Sequence, residues 1–347
     1  MNITKLKDIL KKEPPYRLKQ VEKIIFQDLI NDWSQAKVLP VGLREELNKK
    51  CPLKIDFQAS VSKDEKTVKA LIILEDGLKI ETVLMRHQPR DKTSTPRDKD
   101  CRNTVCVSSQ AGCPLGCSFC ATGKSGFKRN LKASEIVEQI LFFARLLKKD
   151  SSKVTNVVFM GMGEPFLNYD NVLGAIKVLN NKDGFNLGAR HFSISTVGIP
   201  EGIKKLSGEK LQINLAISLH ASKDELRSKI MPINKKYSIK EVLTVVEEYI
   251  KKTKRRVMIE YVMIDGVNDS DECAKDLARL LKKLLYFVNL ISYNPTGAFR
   301  ASSRERIKKF KEILEKSGIT VTERYRFGSG IKAACGQLIA REKQYGN

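Results

Sequence analysis

The sequence predicts an α/β fold in which a small helical domain and a β-hairpin precede a partial barrel of six βα units. Apolar strand-like runs alternate with helical stretches from Thr104 onward, and this alternation is typical of a parallel sheet covered by helices. The pair Asp76-Gly77 separates two runs rich in β-branched residues, which indicates a hairpin. Because eight βα units close a barrel, six predict an open one.

Residues 1–62 are predicted to form a helical, basic accessory domain. Residues 16–26 place apolar side chains at helical intervals with Lys and Arg between them, a pattern that fits either a surface contacting RNA or a plain packing domain. Residues 63–103 are predicted to hold the hairpin and a polar linker. Glu81 lies in the second hairpin strand, where sequence alone predicts a solvent-facing side chain. The hairpin strands are predicted at residues 67–74 and 78–85.

The barrel domain is predicted to cover residues 104–340, with residues 341–347 as a tail. Each predicted strand is followed by at least one helix, as expected for βα units. The strands are predicted at residues 105–108, 155–160, 191–195, 211–219, 256–264 and 286–291. The helices are predicted at residues 133–147, 172–179, 239–250, 270–284 and 303–317, after Pro200 and near Asp224.

The composition indicates an intracellular protein with a polyanionic partner. Lys and Arg number 63 against 40 Asp and Glu, a net charge of +23, which favours a nucleic acid partner; a Lys-rich proteome is the alternative. The N-terminus lacks the apolar core of a signal peptide, and no apolar run approaches the ~20 residues that span a bilayer. We therefore expect a cytoplasmic protein without a membrane partner. Eight cysteines in a reducing compartment favour metal or redox chemistry over structural disulfides.

Three cysteines lie close together in the segment CPLGCSFC, at Cys113, Cys117 and Cys120. An iron–sulfur cube held by three protein thiolates keeps one iron open for a small ligand, much as catalytic zinc keeps an open position. A structural zinc site would need a fourth Cys or His nearby, and none of the three His lies close to this segment. The spacing therefore favours an iron–sulfur cluster.

Polar residues follow the predicted strands at the end where reactive groups of parallel barrels collect. This convergence predicts one rim with a three-thiolate loop and groups suited to a zwitterionic, ribose-bearing ligand. Any single member would more often be ordinary polarity at a strand end. The rim residues are Gly163, Glu164, Ser195, Ser218, His220 and Asn294.

The cysteine segment resembles that of the radical S-adenosylmethionine (SAM) superfamily. Further motifs, in order along the chain, resemble the RlmN group of RNA adenine C2-methyltransferases. They are CVSSQAGC at 106–113, FMGMGEP at 159–165, SLHA at 218–221, MPINKKY at 231–237 and AACGQL at 333–338, preceded by YRLKQ at 16–20. One departure from the group is Lys332, in a segment that is often acidic in its members.

The resemblance implies a radical SAM partial barrel with one [4Fe-4S] cluster per chain. Cys113, Cys117 and Cys120 would hold the cluster, and its open iron would bind the amino and carboxylate groups of SAM. Gly163 and Glu164 would contact the amino group. The remaining SAM contacts implied by the resemblance are Ser195, Ser218, Leu219, His220 and Asn294.

The resemblance also implies roles for three residues that the sequence alone leaves ordinary. Cys335, otherwise a small apolar filler, would take a methyl group from one SAM, and a second SAM would yield the radical that activates this methyl for attack on C2. Cys106, otherwise a buried strand cysteine, would then attack the sulfur of Cys335 and release the methylated base through a transient disulfide. Glu81 would accept the C2 proton.

The implied substrates are an adenosine of 23S ribosomal RNA and an adenosine beside the tRNA anticodon. Pro165 favours methylation at C2; a Cfr-like C8 methyltransferase and a non-catalytic, zinc-containing RNA-binding protein are the alternatives. The implied partners are RNA and an electron donor such as flavodoxin or ferredoxin, and a monomer is expected. Cys51, Cys101 and Cys273 match none of the motifs, so no role is predicted for them.

Overall fold

The computed structural model describes residues 3–87, 102–281, 285–325 and 327–340. Ten strands form one mixed sheet in the order β1-β2-β3-β4-β7-β8-β9-β10-β11-β12, and β5 pairs with β6 in a separate ribbon. The strands are β1 (Asp56–Val61), β2 (Thr67–Ile73), β3 (Lys79–His87), β4 (Arg102–Cys106), β5 (Gln110–Gly112), β6 (Phe127–Asn130), β7 (Asn156–Phe159), β8 (Phe192–Thr196), β9 (Asn214–Ser218), β10 (Val257–Met263), β11 (Tyr286–Ser292) and β12 (Val321–Glu323).

The helices pack mainly outside the parallel part of this sheet, and none of those described is long and apolar enough to cross a membrane. They are α1 (Ile3–Leu10), α2 (Tyr16–Lys23), α3 (Val41–Lys50), α4 (Ala121–Lys124), α5 (Ala133–Lys149), α6 (Tyr169–Asn180), α7 (Pro200–Ser207), α8 (Asp224–Ile230), α9 (Ile239–Thr253), α10 (Asp271–Leu280) and α11 (Arg304–Lys316).

The N-terminal helices pack around Trp33, whose side chain is fully buried and whose indole Nε1 donates a 2.8 Å hydrogen bond to the carbonyl of Cys51. Cys51 is also fully buried, and burial raises the pKa of its thiol. The helical prediction for residues 1–62 is wrong at Asp56–Val61, which forms β1 and pairs antiparallel with β2. Apolar and polar side chains alternate there with period two, the strand period.

The predicted hairpin is confirmed as β2 and β3, which pair antiparallel around a turn where Gly77 has a φ of +78°. Strand β3 also pairs antiparallel with β4, with Val83 opposite Cys106. The hairpin is therefore continuous with the barrel sheet. Most of the predicted linker, including Cys101, lies outside the described residues.

The six predicted barrel strands are confirmed as β4, β7, β8, β9, β10 and β11, which run parallel as neighbours in chain order. A further parallel strand, β12, pairs with β11 at the open edge. Neither β12 nor the ribbon β5–β6 was predicted from the sequence, because strands of three or four residues are too short to show a period. The predicted partial barrel is confirmed, and its parallel strands direct their carboxyl ends to one rim.

Candidate active site

Most of the predicted rim residues meet around one open cavity, called here the three-cysteine cavity. The three-cysteine segment follows β4 and β5, Gly163-Glu164 follows β7, and Ser195 and Ser218 lie at the ends of β8 and β9. The predicted residues that line this cavity are Cys113, Cys117, Cys120, Gly163, Glu164, Ser195, Ser218, His220 and Cys335. Asn294 lies in a neighbouring cavity, and Leu219 is fully buried behind the rim.

The cysteine segment is fixed from both sides by backbone contacts. Gly112 has a φ of +75°, and a Cβ there would lie 1.8 Å from the carbonyl oxygen of Gly126, so this position requires glycine. The amide of Cys113 donates to the same carbonyl at 3.0 Å. Burial raises the pKa of Cys113 to about 12 and also raises that of Cys117. These thiols stay protonated unless a bound cation stabilises the thiolates.

The donor set fits an iron–sulfur cluster. Among the residues that the structure describes, no three His, Cys, Asp or Glu side chains are grouped as ligands of a single metal ion would be. In an iron–sulfur cube each thiolate binds a different iron, so the three sulfurs need to share a cavity rather than a point. Cys113, Cys117 and Cys120 meet that requirement, and all three are reduced cysteines outside any disulfide.

Glu164 presents a buried carboxylate beside the three cysteines. Its two oxygens accept hydrogen bonds from the backbone amides of Phe166 (3.0 Å) and Val197 (2.9 Å). Burial raises its pKa from the usual 4.5 to about 7, although these hydrogen bonds oppose the shift. Gly163 precedes it with a φ of +99°, and a Cβ there would lie 2.5 Å from Gln110. The site therefore offers a hydrogen-bond acceptor of fixed orientation, next to a backbone position that favours glycine.

His220 is neutral in this site. Burial lowers its pKa to about 3, with the nearby charge of Arg227 acting in the same direction. Its Nδ1 accepts a 3.1 Å hydrogen bond from the amide of Val262, so the ring proton lies on Nε2. The residue has a φ of +61°, an uncommon backbone conformation for a non-glycine residue. The geometry supplies a fixed imidazole donor.

Sequence reasoning missed two residues that connect the rim to the neighbouring cavity, the one that Asn294 lines. Glu260, in the middle of β10, accepts hydrogen bonds from the hydroxyl of Ser195 and from Arg324 Nη1, the latter at 3.0 Å. The hydroxyls of Ser195 and Ser218 lie 3.2 Å apart. Glu260 could have been suspected from the sequence, since it is the single charged residue in the apolar strand VMIEYVM. Arg324 carried no such signal.

The structure brings Cys106 and Cys335 to the same cavity, which is also lined by Arg324 and Asn294. Cys106 is buried; burial, together with the nearby Cys335, raises its pKa to about 12. Cys335 is half-buried and also lines the three-cysteine cavity. Burial raises its pKa, while Arg324 acts in the opposite direction. The Cys335 sulfur therefore lies where the two cavities meet.

The segment that carries Cys335 is held by side chains from distant parts of the chain. Asn294 Nδ2 donates to the Cys335 carbonyl at 3.2 Å, and the Thr122 hydroxyl donates to the Leu338 carbonyl at 2.6 Å. The amide of Ala121 donates to the carbonyl of Gly336 at 2.7 Å. These contacts dock the segment directly against the cysteine loop.

Glu81 is fully buried, so the prediction of a solvent-facing strand position is wrong. The C-terminal segment covers this part of β3, a contact that local sequence cannot reveal. One Glu81 carboxylate oxygen lies 3.0 Å from Nζ of the equally buried Lys69, and the other accepts a 2.7 Å hydrogen bond from the amide of Ile339. Glu81 is not among the described residues that line either cavity.

The other two cysteines that the structure describes lie elsewhere. Cys273 is half-buried in the first turn of α10, where its amide donates to the Ser270 hydroxyl that caps the helix. Cys51 belongs to the N-terminal core. Neither lines the two cavities.

Comparison with known proteins agrees with this geometry. The family model described as the radical SAM superfamily matches residues 107–280. The "Ribosomal RNA large subunit methyltransferase N" of Nitrosopumilus maritimus is 46% identical over 93% of this chain and 92% of its own length. The "Probable dual-specificity RNA methyltransferase RlmN" of Dictyoglomus turgidum is 47% identical over 94% of this chain and 91% of its own.

A solved structure extends the agreement to the fold. The crystal structure of a radical SAM methyltransferase from Sphaerobacter thermophilus superposes with a TM-score of 0.91 and 43% identity, and 98% of each chain is covered. The predicted fold and family are both confirmed. The chain therefore belongs to the radical SAM superfamily and, within it, to the RlmN family of methyltransferases.

Proposed function

We propose that this protein transfers a methyl group from SAM to C2 of an adenosine in 23S ribosomal RNA, and to an adenosine in tRNA. The observation that carries the proposal is the meeting of Cys106 and Cys335 in one cavity, with Cys335 also lining the adjoining three-cysteine cavity. A methyl donor in the three-cysteine cavity would therefore be within reach of a thiol that can pass the methyl on. The names of the relatives support RNA as the substrate.

The rim supports a SAM site. Cys113, Cys117 and Cys120 would hold one [4Fe-4S] cluster, which when bound supplies the electron that cleaves SAM to the 5′-deoxyadenosyl radical. The Glu164 carboxylate, held by two amides, can accept hydrogen bonds from the SAM ammonium group. The hydroxyls of Ser195 and Ser218 and the imidazole Nε2 of His220 offer polar partners for the ribose and adenine. Gly163, Leu219 and Asn294 complete the proposed contact set.

A thiol that carries the methyl group is needed because adenine C2 cannot take the methyl from SAM directly. C2 of adenine is an electron-poor aromatic carbon and does not attack the methyl group of a sulfonium. Cys335, as a thiolate, can displace this methyl: its sulfur gains the methyl, and the sulfonium leaves as a neutral thioether. Two SAM molecules would then be consumed per methylation, one for the methyl and one for the radical.

Release of the product requires a second thiol. Once the radical has removed a hydrogen atom from the methyl group on Cys335, the resulting carbon radical would add to C2. The Cys106 thiolate would then attack the Cys335 sulfur, forming an S–S bond as the carbon–sulfur bond to the base breaks, and the released carbon would take up a proton to become the methyl group. One electron is left over, for which a bound cluster would be the acceptor. Glu81 is proposed to accept the C2 proton, and the carboxylate must first give up its hydrogen bond from Ile339. That exchange calls for movement of the C-terminal segment when RNA binds.

The charge of the chain supports binding of folded RNA through its phosphates, with the target base exposed for reaction. Pro165 and Phe166 follow Glu164 directly in the chain and are buried. We take this proline to favour C2 over C8. A flavodoxin- or ferredoxin-type reductant, a cytoplasmic location and a monomeric state belong to the same proposal.

The test is product analysis. Protein reconstituted anaerobically with iron and sulfide is incubated with SAM, a reductant and unmodified 23S ribosomal RNA or tRNA, and the digested RNA is compared by mass spectrometry with methyladenosine standards. We expect 2-methyladenosine from the unaltered protein and from Cys273→Ala, and none from Cys335→Ala. Detection of 8-methyladenosine would assign the C8 reaction. A colourless protein that binds only zinc and yields no product would support the non-catalytic alternative.

A further inference from the structure

We propose that Arg324, anchored by Glu260, is a positioning residue whose single positive charge serves Cys335 and then Cys106, so that Cys106 becomes reactive only after Cys335 has been methylated. The order of the two steps rests on the proposed function. The electrostatic arrangement itself depends only on the residues described below.

One arginine lines the same cavity as the two thiols. Arg324 lines both cavities, and its side chain is 21% exposed. Nη1 donates to Glu260 at 3.0 Å, and Nη2 lies 3.1 Å from the sulfur of Met160. Met160 and Cys106 line the same cavity. The guanidinium is thus held on one side by a carboxylate and on the other by a residue that lines the cavity of Cys106.

The charges around Cys106 explain why it would react after Cys335. The titratable or charged groups that line its cavity, among the described residues, are Cys335, Arg324 and Tyr325. Glu260, the hydrogen-bond partner of Arg324, acts on Cys106 from outside this cavity. On the neighbouring hairpin strands, Lys69 and Glu81 neutralise each other. A Cys335 thiolate and Glu260 both oppose ionisation of Cys106, and Arg324 is the group that favours it.

Methylation of Cys335 changes this balance. The reaction converts an anionic sulfur into a neutral thioether, and the methyl donor loses its positive charge at the same time. The negative charge opposing Cys106 is removed, while Arg324 stays in place through Glu260. The guanidinium is then left to stabilise a Cys106 thiolate, the form that attacks sulfur. Before methylation the same charge favours the thiolate of Cys335, so premature oxidation of the pair is disfavoured.

The experiment measures how readily Cys106 is alkylated by iodoacetamide as a function of pH. Reacted Cys106 is located by tandem mass spectrometry in protein without cluster, SAM or RNA. Cys335→Ala mimics the loss of charge on methylation, and we expect it to lower the pH of half-maximal alkylation of Cys106. Adding Arg324→Gln should raise that pH by about one unit or more, the size of shift that a nearby opposite charge produces. Arg324→Lys in place of Arg324→Gln should return the pH of half-maximal alkylation most of the way to the value for Cys335→Ala alone.

Two further variants separate charge from structure. Glu260→Gln in the Cys335→Ala background should lower the pH of half-maximal alkylation, opposite in sign to Arg324→Gln, whereas general loosening would move both in the same direction. Arg304→Gln, at an exposed position at the start of α11, should change nothing. If Arg324→Gln does not fold, the sign of the Glu260→Gln shift decides the question.

An unchanged profile in folded Arg324→Gln, or a raised pH in Glu260→Gln, would overturn the proposal. Because the assay uses neither RNA nor SAM, its result is independent of whether the protein methylates RNA. If the alkylation profiles agree with these expectations but the protein forms no methylated product, the proposed function is wrong and the assignment of Arg324 stands.

Discussion

The rim of the three-cysteine cavity and the segment that carries Cys335 are built in different ways. Each rim residue follows directly from a strand of the parallel sheet, so the sheet fixes its position. The segment at residues 332–339 lacks a long helix or strand, and polar contacts from separate parts of the chain hold it in place. Secondary structure therefore fixes the rim, whereas polar contacts hold the segment against the rest of the chain.

This difference suits the two proposed tasks. A cofactor site benefits from groups held rigidly by secondary structure, because their orientation is set before the ligand arrives. The carrier thiol has to serve a methyl donor, an RNA base and a second thiol in turn. A segment held by a few hydrogen bonds can shift between these partners at small cost, since each neutral bond contributes only about 0.5–1.5 kcal/mol.

The largest expected effect concerns the docked thiol pair. Cys106→Ala should abolish multiple turnover, because the methylated base stays covalently attached to Cys335. We expect an RNA–protein adduct of one RNA per chain on a denaturing gel, and the double variant Cys106→Ala/Cys335→Ala should show none. Free methylated RNA at normal yield from Cys106→Ala would contradict the role of Cys106 as the resolving thiol.

The rigidity of the rim depends on Arg227, which is fully buried. Its guanidinium donates to the carbonyls of Leu219 (3.0 Å) and Val197 (2.6 Å) and to the side chain of Asn234 (2.8 Å). Arg227→Met would leave these buried acceptors without donors, and we expect a loss of about 3–5 kcal/mol in the free energy of unfolding. Urea denaturation measures this loss.

The control for Arg227 is Arg279→Met, which removes an exposed ion pair with Asp276. Such surface pairs contribute at most about 1 kcal/mol, so this variant should unfold close to the unaltered protein. Equal losses in both variants would mean that the strand ends are not held by Arg227.

Glu164, a rim residue, should also make the stability of the protein depend on pH. The pKa of Glu164 is about 7 in the folded protein against its usual 4.5, because burial disfavours the charged form. The folded state therefore retains a proton that the unfolded state releases, and stability falls as pH rises from about 4.5 to about 7. Each pKa unit corresponds to 1.36 kcal/mol, so this group accounts for about 3 kcal/mol.

Glu164→Gln removes that titration. As the pH rises from 5 to 8, the free energy of unfolding of Glu164→Gln should increase relative to that of the unaltered protein by about 2.5 kcal/mol, as measured by urea denaturation of the cluster-free forms. Glu248→Gln, at an exposed position of α9, should follow the unaltered protein at every pH. A constant difference between Glu164→Gln and the unaltered protein would show that Glu164 titrates as an ordinary carboxyl group.

The same contrast explains what the sequence could predict. The βα alternation and the polar residues at strand ends follow from local patterns, and the structure places Glu164, Ser195 and Ser218 where those patterns indicate. The partners of the C-terminal segment could not be read in this way. The hydrogen bond between Glu81 and Ile339 and the shared cavity of Cys106 and Cys335 join residues far apart in the chain and leave no periodic signal. Resemblance to a family supplied the cysteine pair, and only the structure revealed Arg324.

The smallest expected effect tests how the segment is docked. The buried Thr122 hydroxyl donates a 2.6 Å hydrogen bond to the carbonyl of Leu338. Thr122→Val keeps the shape of the side chain and removes the donor, so the segment should open more easily by about 1–2 kcal/mol. Amide hydrogen exchange should then be about five- to thirtyfold faster within residues 333–340, with rates in β8 and β9 unchanged. Thr244→Val, on an exposed turn of α9, is the matched control. Equal acceleration in the segment and in the strands would mean that the segment and the barrel open as one unit.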